Sequence, residues 1–232
     1  MKRKKRIKTR RFPTELAWFL GLVILALGTA MMEKAAFGMS MVVAPAYLLH
    51  LKISKFIPAY TFGMSEYMLQ AVLLLALVAI TRKVKKGYFF SFVTAMIYGF
   101  LLDTWMKAPM FSFQATMFSR VCCYILGMGV CAVGVAFLFR TYISPEAYEL
   151  FVKELAQKLH LPAGKMKMIY DCTSCVIAIA LSFAFFGKLV GVHWGTIVCA
   201  LVNGWLIEDA GKWMDKHFIF YDALKLRGLF DS

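Results

Sequence analysis

The sequence predicts an all-α polytopic membrane protein. It comprises six transmembrane helices as two inverted three-helix repeats, a re-entrant or interfacial segment after the first helix and an amphipathic helix after the fourth. Three observations lead there. The 232 residues are 61% hydrophobic and 17% charged, against about 45–50% and roughly 25% in soluble domains, so a soluble core would not absorb the apolar sequence. Crossing the hydrocarbon takes about 20 apolar residues per helix, and six stretches approach that length: 14–32, 65–81, 89–106, 117–139, 170–190 and 194–212. Finally, Ala95, Gly99, Asp103 and Lys107 recur 105 positions later as Ala200, Gly204, Glu208 and Lys212.

The first stretch exceeds a signal-peptide h-region of about 7–15 residues. It runs on into Met31, Met32, Glu33 and Lys34, so it is read as a retained helix. Residues 35–51 are apolar but carry Pro45 and His50, with Lys52 just beyond, and are read as the re-entrant or interfacial segment, broken at Pro45. The distribution of the basic residues behind the net charge of +14 sets the expected orientation, because basic residues near helix ends stay cytoplasmic. With the amino terminus inside, 21 of the 27 Lys and Arg residues fall in inner segments and 5 in outer ones. Both termini are therefore expected in the cytoplasm, in the cell membrane. The divisions are a basic cytoplasmic tail (1–13), a first repeat (14–112), a second repeat (113–215) and a cytoplasmic C-terminal tail (216–232). The tail, with eight basic residues among 2–11, suits anionic lipid rather than nucleic acid.

The repeat accounts for the two acids. A spacing of four keeps the small, small, acidic, basic series on one helical face. Upstream, Pro45, Ala46 and Tyr47 parallel Pro145, Ala147 and Tyr148. Three spans per repeat is odd, so the halves are expected in opposite orientations about an axis in the membrane plane. Gly99 and Gly204 are then expected at close contacts near that axis, with Asp103 and Glu208 toward opposite surfaces. "SPEAYELFVKELAQKLHL" is expected to be the amphipathic helix on the inner face, capped by Ser144.

The segments "FGMSMVVAPAYLLHLKIS", "FSFVTAMIYGFLLD", "TYISPEAYELFVKEL", "YDCTSCVIAIALSFAFFG" and "GTIVCALVNGWLI" resemble the YczE/YyaS/YitT group of bacterial membrane proteins. The resemblance covers nearly the whole chain between the tails. It implies a multi-pass protein of the cell membrane and supplies no substrate or catalytic residue.

Ionisable residues inside spans are costly and mark candidate function. Asp103, Arg120, Glu208 and Asp209 qualify, with Glu66 and Asp171 at helix starts, and Asn203, Gly99 and Gly204 complete the candidate path-lining set. Asp103 and Arg120 are expected to pair. Asp103 with Lys107 and Glu208 with Lys212 are i,i+4 neighbours that also suit purely local ion pairs. Arg120, Tyr124, Gly127, Cys131 and Gly134 share an inward face. Cys172 and Cys175 are read as packing residues, with a redox pair as the lesser alternative, and the scattered His50, His160, His193 and His217 offer no metal spacing. There is no G-x-S-x-G, H-E-x-x-H or P-loop motif. No cofactor, metal or enzymatic activity is expected. The expectation is a bundle that binds or transports a small solute, with homo-oligomers allowed. The alternatives are a non-catalytic scaffold or regulatory subunit and, behind it, an intramembrane enzyme.

Overall fold

Each of the six apolar stretches forms one long helix in the computed structural model, which describes residues 10–38, 40–60, 62–108, 116–224 and 226–231. In chain order the elements are β1 (Arg10–Pro13), α1 (Thr14–Ala35), α2 (Ala44–Ile53), α3 (Phe62–Thr81), α4 (Lys86–Lys107), α5 (Met117–Leu138), α6 (Ala147–Lys158), α7 (Ala163–Phe186), α8 (Trp194–His217), β2 (Phe218–Tyr221) and α9 (Arg227–Asp231). Five of them, α1, α3, α4, α5 and α7, are long and apolar enough to cross a membrane. The 24-residue α8 holds the sixth stretch but carries Glu208, Asp209, Lys212, Asp215 and Lys216 in its second half.

The centre is the α1–α5 pair, packed through glycines because small residues let two backbones approach in an apolar medium. A methyl group built on Gly21 would lie 3.1 Å from the Gly134 carbonyl oxygen, and one on Gly28 would lie 2.8 Å from that of Gly127. The contacts run in opposite order, so α1 and α5 are antiparallel. α4 runs parallel to α1, with Trp18 beside Phe90 and Thr29 accepting from Tyr98. α8 likewise runs parallel to α5, with Tyr124 donating to the Gly195 carbonyl and Arg140 paired with Asp215. α4 and α8 are therefore antiparallel to each other. α2 packs on α3 and α7, while α6 packs on α7 and α3. One relationship is lopsided: α7 lies along α8, whereas the consecutive helices α3 and α4 scarcely touch.

Four sequence expectations need correction. Pro45 does not break a span; it sits in the first turn of α2, where a missing N–H costs nothing, and Ala44, Pro45, Ala46 and Leu48 are buried. α6 is not a surface helix, because residues 141–150 are all buried and the helix plunges between α3 and α7. Ser144 does not cap it. The N-cap position belongs to Glu146, while the Ser144 carbonyl accepts from Thr94 Oγ1 at 2.8 Å. The tails are not plain tails either. β1 and β2 form a parallel two-stranded ribbon, pairing Arg10 with Phe218 through Pro13 with Tyr221, so the fold is not purely helical. The Glu15 carboxylate secures this end by accepting from the Ala223 and Leu224 N–H groups and from Tyr142 OH. Residues 1–9 of the basic tail lie outside the described residues.

Candidate functional site

A cavity of about 700 Å³ occupies the gap between α3 and α4 and reaches to α1, α5, α7 and α8. Its rim is formed by exposed residues of both splayed helices, Gly63 and Tyr67 on one side and Met96, Phe100 and Asp103 on the other. Its floor is polar and is built where α6 begins. Pro145 cannot continue a helix from the preceding segment, so the chain turns and α6 starts with Glu146 and Glu149 at its N-terminal end. Amide dipoles at a helix N-terminus favour carboxylates there.

Lys167 of α7 organises this floor. It is 1% exposed, with Nζ 2.9 Å from Glu149 Oε1 and 3.0 Å from Asp171 Oδ1. Asn203 of α8 donates from Nδ2 to Asp171 Oδ2 at 3.3 Å. Across the cavity, Tyr148 OH donates to Glu66 Oε2 of α3 at 2.6 Å. Burial holds the Glu146 carboxyl above its ordinary range, the Glu149 and Glu66 charges push it further, and Lys167 opposes them. Two acids thus flank one buried base, and Lys167 is the one basic side chain lining the cavity among the described residues.

The sequence-predicted residues divide between this site and the surface. Asn203, Gly99 and Asp103 line the cavity. Gly99 contradicts its expected close contact: a methyl group there would meet nothing within 4 Å, because α4 faces open space. Gly204 does make a close contact, against Gly164 and Met168 of α7. Asp103 and Arg120 do not pair. Arg120 donates from Nε to Ala35 O at 2.8 Å and from Nη2 to Ala36 O at 3.2 Å, satisfying the C-terminal carbonyls of α1. No ion pair reaches Asp103 among the described residues, so Asp103 with Lys107 is not a salt bridge. Glu208 and Asp209 sit at the surface end of α8 and pair locally with Lys212, at 2.8 and 3.9 Å, away from the cavity. Tyr124, Gly127, Cys131 and Gly134 are buried on one face of α5 as expected. All six cysteines are free; Cys172 contacts the Ala200 carbonyl and Cys175 is buried in the core.

Glu146, Glu149 and Lys167 escaped the sequence reading because the segment after α5 has the alternation of a surface helix. The usable signal was Lys167 one turn before Asp171, a charged i,i+4 pair leading into the apolar run of α7.

A family model matches residues 12–210, which extend from β1 into the last turns of α8; its description is a family of unknown function, DUF6198. No curated protein and no solved structure matches the chain.

Proposed function

We propose that this chain, which belongs to the DUF6198 family, binds a small solute in the α3–α4 cavity and carries it across the cell membrane by exchanging the conformations of its two halves. In this reading α8 is the sixth span. The halves correspond as α1 to α5, α2 to α6, α3 to α7 and α4 to α8. The packing supports the correspondence, since α1 on α4 matches α5 on α8, and α2 on α7 matches α6 on α3. The glycines support it as well. Gly21 and Gly28 correspond to Gly127 and Gly134 at an offset of 106, and the contacts Gly21–Gly134 and Gly28–Gly127 exchange under it. A two-fold axis that relates antiparallel helices lies perpendicular to them, hence in the membrane plane, as in inverted-repeat transporters. The pairing of β1 with β2 sets residues 10–13 beside residues 218–221, which supports reading both ends on one side, and the basic residues favour the cytoplasmic side for them. There the basic tail meets anionic lipid.

One observation carries the transport half of the proposal. The α7–α8 pair is closed through Gly164 and Gly204, while its counterpart α3–α4 is open with Gly99 facing the gap. Exchanging the two arrangements would close the cavity on the α3–α4 side and open it on the other.

Cysteines at Gly63 and Gly99 test this, in a chain whose six native cysteines are replaced by alanine. Transport predicts that the pair cross-links on oxidation and that a third cysteine, at Met168, then gains reactivity toward an impermeant thiol reagent. A pair that never cross-links, with unchanging reactivity at position 168, makes the protein a static binding or scaffold subunit.

A further inference from the structure

The cavity floor has more acceptors than donors. Gln70 and Asn203 are 5% and 6% exposed and line the cavity, yet Gln70 Oε1 and Asn203 Oδ1 have no hydrogen-bond partner among the described residues. The orientation of Asn203 is set by its Nδ2, which faces the Asp171 carboxylate, so the atom left without a partner is its amide oxygen. Glu66 Oε1 also lacks a partner, while its other oxygen is occupied by Tyr148. All three are acceptors, and leaving a buried acceptor unpaired is destabilising. A ligand that relieves them must donate hydrogen bonds.

The charges lead to the same conclusion. Lys167 is committed to Glu149 and Asp171. Glu66 and Glu146 have no basic partner at ion-pair distance among the described residues. No group of three His, Cys, Asp or Glu side chains close enough to hold a metal ion occurs among the described residues, which favours an organic cation over a bare metal. The walls are apolar: Met32, Met41, Val42, Phe62, Met96 and Phe100. A volume of about 700 Å³ accommodates a body as well as a head, within the roughly 300–1,000 Å³ of small-molecule sites.

We infer that the cavity takes the protonated primary amine of an amphipathic molecule. The ammonium sits among Glu66, Glu146, Gln70 and Asn203, and the apolar body lies against the Met41, Phe62 and Met96 side of the chamber. This assignment rests on the reading of the cavity as a solute site. The amine comes either from a free amphipathic amine or from an amine-bearing lipid headgroup entering between α3 and α4.

The test uses the purified full-length protein and four six-carbon probes: hexylammonium, hexyltrimethylammonium, hexanoate and hexanol. Calorimetric titration should give hexylammonium at least tenfold tighter binding than each of the others. Glu66→Gln with Glu146→Gln should weaken it at least tenfold, with the unliganded melting temperature reporting that the variant is folded. If that variant does not fold, the probe series on the unmodified chain decides alone. A second arm reconstitutes the protein in nanodiscs of mixed phosphatidylethanolamine and phosphatidylcholine and weighs the lipid retained on extraction. Enrichment of phosphatidylethanolamine without hexylammonium binding assigns the amine to the lipid. Hexanoate or hexanol binding as tightly as hexylammonium overturns the inference, as does undiminished binding by a folded double variant. Amine selectivity without the α3–α4 cross-link leaves this inference standing and removes transport; the cross-link without amine selectivity does the reverse.

Discussion

Gly164 and Gly204 meet backbone to backbone, so that a methyl group on either would strike the carbonyl oxygen of the other. The corresponding face of α4, at Gly99, is open. Two glycines that look equivalent in sequence therefore carry opposite burdens. Gly204→Ala should destabilise the protein by about 1–3 kcal/mol through overpacking. Gly99→Ala should be neutral or stabilising by up to about 1 kcal/mol, since alanine is the better helix former. Thermal unfolding in detergent measures both. Equal losses at the two sites would contradict the open α3–α4 arrangement.

Lys167 holds Glu149 and Asp171 together in a setting from which water is nearly excluded. Lys167→Met removes the cation and leaves two buried carboxylates facing each other. Breaking a buried pair from one side typically costs about 3–5 kcal/mol. Adding Glu149→Gln and Asp171→Asn should restore most of that loss, because the stranded charges go with the cation. A triple variant as unstable as Lys167→Met would show that packing, not charge, is what Lys167 supplies.

Glu146 makes stability depend on pH. Its folded-state pKa lies above the ordinary carboxyl value, through burial, the Glu149 and Glu66 charges and the weaker opposing effect of Lys167. Between that value and the raised one, the folded state binds more protons than the unfolded state. Stability is then greatest below the ordinary carboxylate range and falls as pH rises through the raised pKa. Glu146→Gln should flatten this decline. Melting temperatures of both proteins across the pH range provide the comparison, and parallel curves would exclude Glu146 as the source.

Arg120 serves the end of α1, not an acid on α4. Arg120→Ala should cost about 1.5–3 kcal/mol, the range for hydrogen bonds to charged groups. Asp103→Asn should be close to silent. The double variant should equal the sum of the two within about 0.5 kcal/mol, as independent sites do. A coupling energy above about 1 kcal/mol would restore the ion pair that the side-chain positions deny.

What the sequence by itself determined was whatever depends on local chain properties. The long helices follow from apolar runs that bury their own backbone hydrogen bonds, and five of them meet the requirements for crossing a membrane. The inward face of α5 was legible because Tyr124, Gly127, Cys131 and Gly134 recur at helical spacing. Asn203 was legible as a polar residue in an apolar run, and it does reach the cavity. The tertiary structure alone decided which of two similar helical faces is closed and which is open. Gly99 and Gly204 share the same local pattern, and only the position of α3 relative to α4 and of α7 relative to α8 separates them. It also decided that α6 lies inside. An alternating polar and apolar helix has the same sequence pattern whether its polar face meets water or a buried lysine, and the partner that settles the matter, Lys167, belongs to another helix. The ribbon of β1 and β2 is of the same kind, because its strands are four residues each and lie more than 200 positions apart, so neither is specified until the bundle brings the two ends together.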